Sequence, residues 1–177
     1  MAPEVSILAA NLALLEQGYE LIERLPDGAY GGDGEARPVG PHFRHVFEHY
    51  SCFLDGLAAR RIDYDARPRD AAIESDRQNA LDRIAGLVGG LTALEGADLE
   101  AATEIRLECG VGGEADQWCR STVRRELHFL LSHTVHHYAL IGLLLERQGQ
   151  APGAEFGVAP STLKHWRRQT SCAPQAG

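Results

Sequence analysis

The chain has 177 residues, 44% of them hydrophobic, and a formal net charge of −8. That length suits one domain with a sizeable core, and the acidic balance argues against a nucleic-acid partner, because the one basic run, His165 to Arg168, is too short to hold a phosphate backbone. No apolar run approaches the roughly 18 residues that a membrane span needs, so no membrane partner is expected.

The opening stretch MAPEVSILAANLALLEQ carries an early acidic residue and no basic region, which predicts an amphipathic helix rather than a secretory leader, and hence a cytoplasmic protein. Apolar residues at Ile7, Leu8, Leu12, Leu15, Tyr19, Ile22 and Leu25 recur with helical period, giving a first helix over residues 4 to 25 that stops at Pro26. Residues 27 to 40, with five glycines and a proline, read as a loop able to rim a site. A second helix is expected from Pro41 to about Arg60, with Phe43, Val46, Phe47, Tyr50, Phe53, Leu54 and Leu57 inward. His42, His45 and His49 border that face. Their i, i+3, i+7 spacing puts all three imidazoles within roughly 60° of one another.

The next segment, IDYDARPRD over residues 62 to 70, alternates in charge, and Pro68 forbids continued helix, so it reads as an ordered connection. Arg60, Arg61, Arg67 and Arg69 around it can fork onto a carboxylate. Ion pairs with Asp63, Asp65, Asp70 and Glu74 are the commoner use of such residues. A third helix is expected from Ala71 to Leu94, then a short strand over residues 103 to 109, TEIRLEC, before Gly110 to Gly113. The fourth helix runs from Ser121, read as its N-cap, to Gln148. On it His133 and His137 are an i, i+4 pair facing the core, Glu126 lies on the same line two turns earlier, and His128 points away. A short basic helix through Arg168 and a disordered end over residues 171 to 177 complete the chain. Cys52, Cys109, Cys119 and Cys172 show no CxxC, so reduced thiols are expected, with Cys52 one turn beyond His49.

These elements predict an all-α protein: a four-helix bundle forming one domain over residues 1 to 170, with a short irregular or β segment before the last long helix. Seven of the eight histidines fall in the two windows. A single histidine on an apolar face is usually a hydrogen-bonded core residue, and HxxxH recurs on helices by chance. HExxH is absent, since Thr134 stands where its glutamate would be. Several buried imidazoles together are another matter, because each unsatisfied polar group costs on the order of 1–3 kcal/mol and one shared cation satisfies them all. Three imidazoles with one coordination position open suit catalytic zinc, nickel or ferrous iron.

The windows GPHFRHVFEHYSCFLDGL and RRELHFLLSHTVHHYALI, with IDYDARPRD between them, resemble the DinB-like superfamily, whose YfiT-type metal-binding bundles include bacillithiol transferases and mycothiol-dependent maleylpyruvate isomerases. The resemblance covers roughly residues 40 to 165. It implies a metal triad of His133 and His137 with one histidine from the second helix, best matched by His49 and next by His45. It also implies a divalent metal and a low-molecular-weight thiol as cofactors, an electrophilic small molecule as substrate, and a homodimer as one assembly. Three histidines stand where the family has one, which leaves spare imidazoles for proton transfer. On this reading the site comprises His49, His133 and His137 on the metal, His45 or His42 as general base, and Glu126 orienting an imidazole. The competing expectation is a non-enzymatic metal-binding stress-response or dimerisation bundle.

Overall fold

A computed structural model describes residues 6–32, 37–108 and 117–171. Among them lie α1 (Ile7–Arg24), α2 (Asp27–Gly31), α3 (Gly40–Leu57), β1 (Arg61–Asp63), α4 (Ala71–Ser75), α5 (Arg77–Thr92), β2 (Ala102–Arg106), β3 (Cys119–Thr122), α6 (Val123–Arg147) and α7 (Pro160–Ser171). The expected disordered end falls almost wholly outside these residues, as do Cys109, Cys172 and the glycines after the predicted strand.

Four long helices form the core, α1 and α3 each packing against both α5 and α6. Each starts where a cap satisfies its free backbone donors or a proline removes one. Ser6 caps α1, Thr122 caps α6, and Pro41 occupies the first turn of α3. The N-cap of α6 is thus Thr122 rather than Ser121. The predicted third helix is broken in two, because Asp76 is extended (φ −118°, ψ 117°) and its carboxylate accepts from the amides of Gln78 and Asn79 at 2.7 and 3.0 Å.

The all-α expectation is overturned by a three-stranded sheet, ordered β1-β2-β3, which makes this a mixed α/β protein. β1 pairs with β2 in parallel, Ile62 opposite Ile105, and β2 pairs with β3 antiparallel, Thr103 opposite Ser121. The strand expected over residues 103 to 109 is present as β2, Ala102–Arg106, whereas three residues in β1 are too few to display a period of two and CRST in β3 has no alternating apolar positions. The sheet matters to the site because β1 launches the loop of residues 64–70, pinned at one end by the Tyr64 amide on the Arg106 carbonyl (3.0 Å) and at the other by the Asp70 amide on the Glu48 carboxylate (2.8 Å).

Leu15, Leu21, Ile22, Phe43, Phe47, Phe53, Ile84, Leu127, Leu130 and Ile141 are buried between the helices. A buried polar chain crosses this core. The Tyr50 hydroxyl donates to the Asn11 side chain (2.7 Å) and accepts from Thr134 (3.2 Å), while Asn11 donates to the Leu127 carbonyl (3.1 Å). It sets α6 against α3 one residue from His133. At the other end of α3, a Cβ on Gly40 would stand 1.8 Å from the Glu74 carbonyl oxygen, so only glycine lets α3 and α4 approach this closely.

Candidate metal centre

Both histidine windows are helical and face each other across the α3–α6 contact. Ring centroids lie 4.4 Å apart for His45–His49, 4.3 Å for His49–His133, 4.9 Å for His45–His133, 4.6 Å for His133–His137 and 4.6 Å for His45–His137. His49 is buried and His42, His45, His133 and His137 are half-buried, whereas His128 and His136 are exposed. One candidate group emerges among the described residues: ligand atoms of His45, His49 and His133 all lie within 4.8 Å of one another, and these three can hold a metal ion.

The cluster is neutral near pH 7. Burial, reinforced by neighbouring imidazoles, pushes His45 down to about 2 and His137 to about 3. Burial likewise pushes His49 and His133 down to about 4, with the hydrogen bond from His49 to the His45 carbonyl opposing part of the effect. His42 is also lowered by burial. A neutral imidazole keeps a lone pair, which is what a cation requires. Nδ1–H of His49 donates to the His45 carbonyl at 2.8 Å, which leaves Nε2 as its lone pair.

Three observations fit a divalent cation to this place. Nε2 of His133 is buried without a hydrogen-bond partner. The donors are all imidazole nitrogens, a set suited to zinc, nickel or ferrous iron. Two nitrogens on a tetrahedral ion with bonds of 2.0–2.1 Å stand about 3.3 Å apart, so shifts on the order of 1 Å close the group onto one ion.

The expected ligand set, His49, His133 and His137, shares two members with this group. His137 turns instead to His42, with Nδ1 to Nδ1 at 3.1 Å, a separation that requires one ring to donate and the other to accept. Glu126 is fully buried, yet it hydrogen-bonds no imidazole: it accepts from the Tyr64 hydroxyl (2.9 Å), the Arg125 guanidinium (2.9 Å) and the Ser121 hydroxyl. Its reach to the site runs through Tyr64, whose ring stacks on His49 at 5.6 Å and 26°. Burial and the Glu126 charge hold the Tyr64 phenol well above its ordinary range, so it stays a donor. Phe129 closes the apolar wall against His49, His133 and Tyr64. Cys52 lies outside the ligand group, and burial pushes its thiol up to about 11.

The arginines divide in a way the sequence did not foretell. Arg61 pairs with Glu104, while Asp63, Asp70 and Glu74 are taken by Arg106, Arg83 and Arg44. Among the described arginines Arg67 alone reaches the imidazoles, its Nη1 standing 3.3 Å from Nδ1 of His45 and 3.1 Å from Nε2 of His49. Tyr64 and Arg67 sit in IDYDARPRD, and the signal that could have found them was the aromatic and the proline-fixed arginine in a segment bridging the two histidine windows.

No family model and no solved structure matches the chain. Among curated proteins, FK506-binding protein 5 of Rhizopus delemar is 32% identical over 110 residues, which cover 61% of this chain and 28% of that protein. The chain therefore spans little more than a quarter of the length of the curated relative it matches.

Proposed function

We propose that this protein is a divalent-metal-dependent enzyme of DinB-like type, acting on an electrophilic small molecule with a low-molecular-weight thiol or water as nucleophile. The observation that carries the reading is the convergence of neutral imidazoles from two helices around the unpartnered Nε2 of His133. His45, His49 and His133 would hold zinc, nickel or ferrous iron. A cation held there supplies Lewis acidity, which makes a thiolate or hydroxide available near neutral pH. The chain's own groups supply the rest. His42 and His137, whose Nδ1 atoms stand 3.1 Å apart beside the ligand group, are the imidazoles placed to relay onward the proton that the nucleophile loses. Tyr64 and Phe129 exclude water from one side of His49 and His133 and fix the two rings. Glu126 holds Tyr64 in place.

A second reading has its own observation. Arg67 already satisfies the lone pairs of His45 and His49, as it would in a bundle without metal or catalysis. Metal content separates the two. His49→Ala and His133→Ala should each lose most of the metal carried by the purified protein, while His128→Ala should keep it, as read by plasma emission. Equal metal in all three, or none in the parent protein, overturns the enzymatic reading.

A further inference from the structure

Arg67 occupies the place that a cation needs. Its Nη1 donates to Nε2 of His49, the lone pair left once Nδ1–H is spent on the His45 carbonyl, and it also lies on Nδ1 of His45. A cation binding these nitrogens therefore displaces the guanidinium, and like charge keeps it from returning. The arginine does not go far, because its loop is tied down at Tyr64 and Asp70, Pro68 fixes the backbone next to it, and Arg69 is held at φ 53°.

Among the described residues, the carboxylates that could receive the displaced group are already committed, Asp65 on its own loop excepted. Arg67 makes no ion pair among the described residues, and its Nε is buried without an acceptor. Glu48 is committed to Arg44 and the Asp70 amide, Asp63 to Arg106, and Glu126 to Tyr64, Ser121 and Arg125. Three neutral imidazoles, a divalent cation and a guanidinium together carry three positive charges, with no carboxylate bonded to the imidazoles or to Arg67 among the described residues. Desolvated charge of one sign is costly, and an incoming anion relieves it.

We propose that the metal-loaded site selects a carboxylate-bearing small molecule, the carboxylate being taken by the guanidinium of Arg67. The proposal rests on the metal-site reading above. A single flat guanidinium matches the two oxygens of one carboxylate, and no second free cation stands beside it among the described residues to favour a dianion such as phosphate. Arg67 would then have two positions: on the imidazoles without metal, and on the ligand's carboxylate with metal. Asp65, half-buried on the same loop, is the internal competitor for the freed guanidinium.

The test uses the full chain loaded with cobaltous ion, whose absorption reports both loading and sulfur ligation, and two probes of equal reach: thioglycolate, which carries a carboxylate, and 2-mercaptoethanol, which does not. The wild type should bind thioglycolate about 10- to 100-fold more tightly than 2-mercaptoethanol, the range expected for hydrogen bonds to a charged group. Arg67→Gln should lose that preference while its cobalt affinity stays equal or rises. Arg67→Lys, which keeps the charge without the fork, should be intermediate, and circular dichroism would establish that both variants are folded. A preference that survives in both variants, or one absent from the wild type because Asp65 has captured the guanidinium, overturns the proposal and leaves the metal reading intact. Failure of the wild type to take up cobalt overturns the metal reading, and this proposal with it.

Discussion

Glu126→Ala tests how the buried carboxylate supports the site. Its side chain is fully buried and accepts from Tyr64 at 2.9 Å, from Arg125 at 2.9 Å and from Ser121. Truncation leaves the buried Tyr64 hydroxyl without its acceptor, at about 1–3 kcal/mol, and opens a small cavity that adds about 1 kcal/mol. Removing a buried charge offsets part of this, and Arg125 is mostly exposed, so its pair adds little. The expected net loss is about 2–3 kcal/mol, or roughly 4–12 °C in thermal midpoint for a chain of this size. Tyr64→Phe alone should cost less, because Glu126 keeps Ser121 and Arg125. Urea unfolding of the two single variants and the double should give a coupling of about 1–2 kcal/mol. Metal content should stay near that of the parent in all three, since Glu126 touches no imidazole. Additive losses would refute the Tyr64–Glu126 linkage, and metal lost from a stably folded Glu126→Ala would mean that the carboxylate acts on the ligands directly.

Two other predictions concern acid and backbone. His49 and His133 have folded-state pKa values pushed down to about 4 from 6.5. The unfolded chain therefore takes up protons first as pH falls, and the stability of the metal-free protein, level above pH 6.5, should be lost from there toward pH 4. Denaturant midpoints measured at pH 7, 6 and 5 should fall steadily before ordinary carboxylates titrate; constant midpoints would contradict the buried, neutral cluster. Gly40→Ala drives a Cβ to 1.8 Å from the Glu74 carbonyl oxygen and should destabilise the protein by about 2 kcal/mol or more, whereas Gly86→Ala in α5 meets nothing within 4 Å and should stabilise it by about 0.5–1 kcal/mol. Equal thermal midpoints for the two variants would contradict the α3–α4 packing.

Much of the site was legible because helical spacing is local information. His42, His45 and His49 share a stripe, His133 and His137 share a face, and four apolar periods imply that the two meet. The candidate group takes His45 where the sequence pointed first to His137, and helical spacing alone does not choose between them. The rings of His45 and His137 stand 4.6 Å apart across the α3–α6 contact, and which of them joins the group depends on how the two helices meet, through contacts between residues as far apart in sequence as Tyr50 and Thr134. Arg67 was named only as one of four arginines, because nothing local tells which crosses to the imidazoles. Of the sheet, only the strand expected over residues 103 to 109 was legible, as β2, and its neighbours were not: Arg61–Asp63 becomes a strand only when Glu104–Arg106 lies alongside it. Asp76 differs, since its capping pattern is written in the adjacent residues and was overridden by an apolar period that continues across the break.

On the proposed function, imidazoles of His45, His49 and His133 hold a cation with a position left open. X-ray absorption at the metal edge of the purified, metal-loaded protein tests it most directly. One metal per chain is expected, with three imidazole nitrogens at about 2.0–2.1 Å for zinc, plus an exchangeable light ligand replaced by sulfur when a small thiol is added. A chain that retains no metal, or a closed shell of four protein ligands that no thiol disturbs, would contradict it.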